Sequence, residues 1–336
     1  MLLRILNTNA SKAAGVGVAM AMLAGAGAAQ AAVLTVQDIP FPTDPTFTQL
    51  LGINNAGTVA GFHGAAVAQG FTLNLPSTFT SQNFPGSVMS MANAINSAGS
   101  TAGIYQDAGG TTHGYTNIGG AFATVDQPGT VFNQALGINS SNATAGYFAL
   151  DQAAGQMGQS AYSQKGGVFT SINALLPTNN NSQAVGINNA GNVAGFYLPA
   201  SGPDASLGFL DVNGTISTVD PFGSTNTQAL GVSNTGEIVG FYTDAAGVQH
   251  GYTDIGGTFA SFDPAGSVNT TINGVNDLGQ VAGFLTDANA NTIGFVGTPA
   301  GTAVPEPVSA TLLGTGLLGL AWQRRRRGQA GAAAQD

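Results

Sequence analysis

The side chains able to do chemistry are few in this 336-residue chain, and they recur at intervals instead of gathering at one point. The three histidines are His63, His113 and His250, and the last two open matching segments, His113-Gly114-Tyr115 and His250-Gly251-Tyr252. A zinc site needs several convergent ligands. Histidines in separate, equivalent segments read instead as structural or surface groups. The carboxylates recur in the same way: Asp107, Asp244 and Asp287 precede one strand of their segments, and Asp126, Asp220 and Asp263 follow another. Asp at such turns accepts hydrogen bonds from its own backbone. The functional alternative is calcium, which binds oxygen ligands of this kind, although no EF-hand or glycine–aspartate nonapeptide spacing is present. No other cofactor is expected. A hydrolase needs a nucleophile with its base, or two opposed carboxylates. There is no G-x-S-x-G elbow and no cysteine, and the one glutamate among the repeats, Glu237, falls in a turn where it reads as solvated. Aromatic residues recur as well: Phe62, Tyr105, Tyr147, Phe196, Phe241 and Phe284. They form a candidate ligand face, because rings stack on sugar C–H surfaces; the alternative is that they fill space between packed repeats.

The elements that hold these residues are repeats. LGINNAGTVAGFH begins at Leu51, NAINSAGSTAGIY at Asn93, LGINSSNATAGYF at Leu136, VGINNAGNVAGFY at Val185, LGVSNTGEIVGFY at Leu230 and NGVNDLGQVAGFL at Asn273. The aligned residues Ile53, Ile95, Ile138, Ile187, Val232 and Val275 are spaced by 42, 43, 49, 45 and 43 positions. Each unit reads as four short strands. An apolar strand ends at Gly-Ile-Asn, and an Asn/Gly turn follows, built from residues that tolerate the backbone of tight hairpins. A second strand such as Val193–Tyr197 comes next, then a polar loop, a third strand such as His250–Thr253, a Gly-Gly turn, and a fourth strand such as Thr258–Asp263 with one face marked by alternation. Four strands in about 43 residues is the size of a propeller blade. The sixth unit has no fourth strand after Gly294-Phe295-Val296, whereas the chain offers an unpaired one at Val33–Pro40 that resembles Thr218–Pro221 and Ser261–Pro264. The predicted fold is therefore all-β: a six-bladed β-propeller of four-stranded repeats, with the N-terminal strand closing the last blade, flanked by a helical signal peptide and a helical C-terminal tail. Closure of this kind removes open sheet edges. An open stack of β-meanders is the alternative.

Composition agrees with a turn-rich β protein. Apolar residues make up 43 % and charged residues 7 %, with 50 glycines; soluble domains average roughly 25 % charged. Between residues 33 and 303 the only basic residue is Lys165, against fourteen carboxylates. Such a surface repels nucleic acid and anionic lipid.

The two ends read as addresses. Residues 1–32 combine a basic start, a small-residue apolar run and Ala29-Gln30-Ala31, the small-x-small pattern cut between Ala31 and the mature chain: a secretory signal peptide. After the array at 33–298 come a linker at 299–307, a hydrophobic helix at 308–323 and a basic tail at 324–336. The linker holds Val304-Pro305-Glu306-Pro307. The apolar run from Val308 to Trp322 is fifteen residues, roughly 22 Å as a helix, short for a comfortable span. Arg324, Arg325, Arg326 and Arg327 then stop translocation. Gly314-Thr315-Gly316-Leu317-Leu318-Gly319 matches a dinucleotide pattern but lacks the strand–turn–helix context that gives it meaning. In order and spacing this tail resembles the PEP-CTERM sorting signal of Gram-negative bacteria. The resemblance implies an exosortase partner that recognises Val304–Pro307 and removes the tail after transient inner-membrane anchoring. It also implies a destination at the cell surface or in an exopolysaccharide matrix; an ordinary C-terminal anchor is the alternative. The repeats, with Gly-Ile-Asn-Asn-x-Gly-x-Val-Ala-Gly-Phe-Tyr and a later His-Gly-Tyr, resemble HAF-type extracellular repeats, a family with no common activity to carry over. The expectation is an exported, non-enzymatic surface or matrix protein. A lectin-like propeller binding a glycan, with or without calcium, is the alternative, and a polysaccharide-degrading propeller is the weaker one.

Overall fold

The computed structural model describes residues 34–150, 158–202, 204–221 and 223–300. The signal residues Ala29 and Ala31, the Val304–Pro307 motif, the helix expected at 308–323 and Arg324–Arg327 lie outside the described residues. Among those described, no helix is long and apolar enough to cross a membrane.

The first strand, β1 (Leu34–Ile39), stands apart in sequence. Five runs of four strands follow. They are β2 (Thr48–Ile53), β3 (Thr58–His63), β4 (Gln69–Asn74) and β5 (Thr78–Ser81); β6 (Met89–Ile95), β7 (Thr101–Gln106), β8 (Thr112–Ile118) and β9 (Ala121–Val125); β10 (Phe132–Ile138), β11 (Thr144–Ala149), β12 (Ser160–Lys165) and β13 (Val168–Ser171); β14 (Thr178–Ile187), β15 (Val193–Pro199), β16 (Leu207–Val212) and β17 (Thr215–Val219); and β18 (Asn226–Val232), β19 (Ile238–Thr243), β20 (Gln249–Ile255) and β21 (Thr258–Phe262). The last run, β22 (Ser267–Val275), β23 (Val281–Asp287) and β24 (Thr292–Pro299), has three strands, and β1 completes it. β1 pairs antiparallel with β24, from Leu34 opposite Pro299 to Ile39 opposite Gly294. β24 therefore runs past Val296, where the sequence suggested that it ends.

The inner strands β2, β6, β10, β14, β18 and β22 lie side by side, each packed on the next, and β22 packs on β2. Antiparallel meanders radiating from a closed inner ring make a β-propeller. The sheets do not number six among the described residues. There are four four-stranded sheets and one of eight strands, in which the second and third runs join through a single parallel pair, Phe132 opposite Thr112. Gly114 sits at this contact, where a Cβ would be 3.1 Å from the Ala135 nitrogen; Gly70 meets the Ala92 nitrogen at the same distance without joining its sheet to the next, so the glycine permits the approach without setting it.

The core repeats with the chain. Tyr115, Tyr162, Phe209, Tyr252 and Phe295, from five of the six third strands, are fully buried. Each lies over a glycine of the second strand. At Gly195, a Cβ would stand 2.2 Å from the Gln183 carbonyl oxygen and 2.6 Å from the Phe209 ring. Every inner strand carries a β-bulge just before its end, between Leu50 and Gly52 in the first and between Ala229 and Gly231 in the fifth. The bulge turns one residue toward the axis.

Candidate functional site

The site grows from the Gly-Ile-Asn segment, whose three residues do three jobs at the axis. The glycine lets backbones meet: a Cβ on Gly274 would lie 2.9 Å from the Gly52 Cα. The aliphatic residue forms a collar of Ile53, Ile95, Ile138, Ile187, Val232 and Val275, each between 5 and 9 % exposed. The asparagine binds in two directions. Its side-chain oxygen accepts from its own turn; Asn54 Oδ1 takes the N–H groups of Ala56 and Thr58, both at 3.0 Å. Its amide reaches the next repeat. Asn54 Nδ2 donates to the Asn96 carbonyl at 3.1 Å, Asn96 to Asn139 at 2.9 Å, Asn139 to Asn188 at 3.0 Å, Asn188 to Ser233 at 3.1 Å, and Asn276 back to Asn54 at 2.9 Å. Ser233 is the exception, since a hydroxyl is too short to span the gap. There the bridge that remains is the one between the following residues, which other repeats also make, as from Asn189 N to Asn234 Oδ1 at 2.7 Å: Asn234 donates its backbone N–H and its amide to Asp277, both at 2.8 Å. Burial pulls the Asp277 carboxyl up, but hydrogen bonds from Asn55 and Asn234 outweigh it and hold the group below the usual carboxylate range. The sequence reading assigned these asparagines only to turn-making. The cross-repeat staple is invisible to any local pattern.

Above the collar lies an axial cavity of about 870 Å³, and below it a polar pit of about 80 Å³ framed by the asparagine turns. The collar borders both. Among the described residues no charged side chain lines the large cavity. Its wall is built from cross-strand pairs of an amide and a ring: Gln49 opposite Phe62, Gln183 opposite Phe196, and Gln228 opposite Phe241, with Thr271 opposite Phe284 and an apolar pair, Met91 opposite Ile104, in the second run. Gln183 is tied to Gln159 at 2.6 Å. The amides of Gln49, Gln134, Gln228 and Asn93 have no hydrogen-bond partner among the described residues. The cavity reaches Thr243, Gly247, Gln249 and Asn269 on the face opposite the asparagine turns, here called the loop face.

Four of the six candidate aromatics, Phe62, Phe196, Phe241 and Phe284, line this cavity. Tyr105 does not: its position is one register off, and Ile104 takes the lining place. Tyr105 stacks between Phe84 at 3.8 Å and His113 at 4.8 Å, and its hydroxyl bonds Thr124 at 2.9 Å. Tyr147 pairs with Gln134 but packs beside Phe132, and its burial raises the hydroxyl's pKa far above its ordinary value.

The histidines fall on the loop face, away from one another. His113 sits between Asp126 (Nδ1 to Oδ2, 2.6 Å) and Asp107 (Nε2 to Oδ2, 3.4 Å), and His250 repeats this with Asp263 at 2.7 Å and Asp244 at 3.4 Å. Burial lowers the His113 pKa, but the two carboxylates outweigh it and the net shift is upward; for His250 the Asp263 hydrogen bond leads and the shift is again upward. His63 stacks on Phe41 at 3.6 Å, and burial lowers it more than Asp44, 3.8 Å away, can restore. In the first run Gln69 and Asn83, bonded at 2.6 Å, take the place of His113 and Asp126. A neutral pair doing the same job marks the His–Asp pair as a staple between a third strand and the connection that follows it. The loop aspartates close their own turns: Asp107 accepts from Gly109 and Thr111, Asp244 from Ala246 and Val248, and Asp287 from Asn289 and Asn291. Among the described residues no three or more His, Asp or Glu side chains are grouped to hold a metal ion. Glu237 is half-buried rather than solvated, and its carboxyl is pushed up by that burial.

No family model and no curated protein matches the chain. Solved structures do. A gluconolactonase of Xanthomonas campestris is 10 % identical over 78 % of this chain and 89 % of its own, with a TM-score of 0.49. The fucose-recognising lectin of Aleuria aurantia, described as a six-bladed β-propeller, is 12 % identical over 77 % of this chain and 99 % of its own, with a TM-score of 0.44. The SapL1 lectin, solved with α-methyl fucoside, is 11 % identical over 78 % and 98 %, at 0.48. At these identities no site residue carries across.

Proposed function

We propose that the chain is an exported, non-catalytic glycan-binding protein of a bacterial cell surface or its exopolysaccharide matrix, with one blade for each of its six repeats and the axial cavity as its ligand site. The observation that carries the reading is the uncharged wall of paired amides and rings. An amide supplies both a donor and an acceptor, and an aromatic face packs against C–H groups; together they suit a neutral, hydroxyl-rich ligand. A volume of about 870 Å³ falls within the roughly 300–1,000 Å³ of small-molecule sites. The fourteen carboxylates between residues 33 and 303 disfavour acidic polymers at long range. Repetition argues against catalysis, because an acid or base needs an environment unlike that of its repeat mates. Export rests on the signal at 1–32. Sorting by an exosortase rests on the resemblance of Val304–Pro307, the apolar run and Arg324–Arg327 to the PEP-CTERM tail.

Co-sedimentation of the full chain with the host's matrix polysaccharide, with and without calcium, tests the reading. Saturable binding that is indifferent to calcium is expected, since the loop aspartates are engaged by their own turns. Absence of binding in both conditions would leave a structural coat protein. Mass measurement of the secreted form is expected to show a start at Ala32 or Val33 and no Arg324–Arg327; an intact C-terminus would remove the exosortase from the account.

A further inference from the structure

We propose that the axial cavity receives the free end of a neutral saccharide chain, one per molecule, entering from the loop face. This rests on the glycan reading above and adds where the chain stops and what reads its last residue.

The first observation is a closed floor. The collar of six β-branched side chains, each at most 9 % exposed, stands between the cavity and the pit. Beneath it the inner strands meet backbone to backbone, as at Gly274 and Gly52, and the asparagine staples tie the turns together. A polymer has no way through, so whatever enters ends at this level.

The second observation is a polar side chain where its neighbours are apolar. Asn93 occupies the bulge position, two residues from the collar and two from the glutamine level. Leu51, Leu136, Val185 and Leu230 hold that position in other repeats, and Asn273 holds it in the sixth, where its amide donates to the Leu50 carbonyl at 3.4 Å. Asn93 is 8 % exposed, lines the cavity, and its amide has no partner among the described residues. Its amide is open to the cavity, so both its donor and its acceptor face whatever enters. A terminal sugar carries, at the position that would otherwise continue the chain, one more hydroxyl than an internal sugar does, and that hydroxyl points along the chain direction toward the floor. Asn93 is placed to accept from it and donate to it, while Gln49 and Gln134 of the flanking repeats hold the ring edges.

The test uses the full chain on an array of neutral gluco-, manno-, galacto- and xylo-oligosaccharides tethered by their reducing ends, followed by calorimetric titration of the best of them. The second ligand is the same oligosaccharide methylated at the terminal chain-extending hydroxyl. One ligand per chain is expected, with about tenfold weaker binding after methylation, the loss of one or two hydrogen bonds. Asn93→Leu copies Leu51 and Leu136, so it keeps the packing. It is expected to lower affinity for the free end about tenfold and to abolish the difference between free and methylated ligands. More than one ligand per chain, or equal affinity for both forms in the native protein, overturns end recognition and leaves glycan binding standing. Failure to bind any of the array overturns the glycan reading itself and this inference with it.

Discussion

At the scale of single residues, asparagine carries more of the structure than any other polar type. Asn139 is buried; its oxygen accepts from Ser141 and Ala143 and its amide reaches Asn188. Asn139→Ala orphans these backbone groups and is expected to lower unfolding free energy by ~2 kcal/mol or more in urea titration. Asn139→Ser should cost clearly less, because Ser233 shows a hydroxyl still accepting from its own turn, at Glu237 N, 3.1 Å. Equal losses would contradict the two-way staple. The histidines make a second prediction. His113 and His250 have raised pKa values in the folded state, so the stability they add is fully present below the unfolded value of about 6.5 and is lost as pH rises through the folded value. His63 is shifted down and opposes them on the acid side. Replacing His113→Gln with Asp126→Asn, and His250→Gln with Asp263→Asn, copies the Gln69–Asn83 pair. Denaturation midpoints followed from about pH 5 to about pH 8 should lose the alkaline decline in this variant; an unchanged profile would show that the pairs contribute nothing. Histidine as a structural group was legible from its recurrence. The partner aspartates were not joined to it in the sequence, because Asp107 and Asp126 flank His113 at distances that only the loop and strand geometry brings together.

At the scale of elements, the strands were plain in the sequence and their irregularities were not. Alternation and Gly-Gly turns mark the third and fourth strands well. The bulge in each inner strand leaves no mark, since Leu51 or Val185 reads as one more apolar residue. That bulge, with the shift of Tyr105 by one position, decides which side chains face the cavity. The longer spacing of 49 residues before Ile187 is taken up in part by a 3₁₀ turn at Asn173–Leu175 and the ten-residue β14, neither of which the repeat pattern announces. Second-strand glycines are a firmer guide. Gly195→Ala would drive a methyl against the Gln183 carbonyl and the Phe209 ring, and is expected to cost ~3 kcal/mol in the same urea titration. A change near zero would mean that the third strand does not seat as described.

At the scale of the whole molecule, the ring closes twice, once by β1 on β24 and once by Asn276 on Asn54. The first closure was legible because a strand was missing at one end of the array and spare at the other. The second was not, since it spans 222 positions. Closure is what creates an interior at the axis, and repetition is what lines it with four glutamines at one level, broken by Met91 and Thr271. The sequence reading placed sugar contact in the aromatic residues alone. The glutamines were overlooked because a lone Gln before an apolar strand end has no signature until six strands are set side by side. The most direct test of the account is co-sedimentation with the matrix polysaccharide of the native chain and of the Gln49→Met, Gln134→Met, Gln228→Met variant, each change copying Met91. Saturable binding by the native chain, lost in the variant at an unchanged urea midpoint, is the predicted result. Equal binding by both would place the ligand elsewhere than the axial cavity and contradict the account.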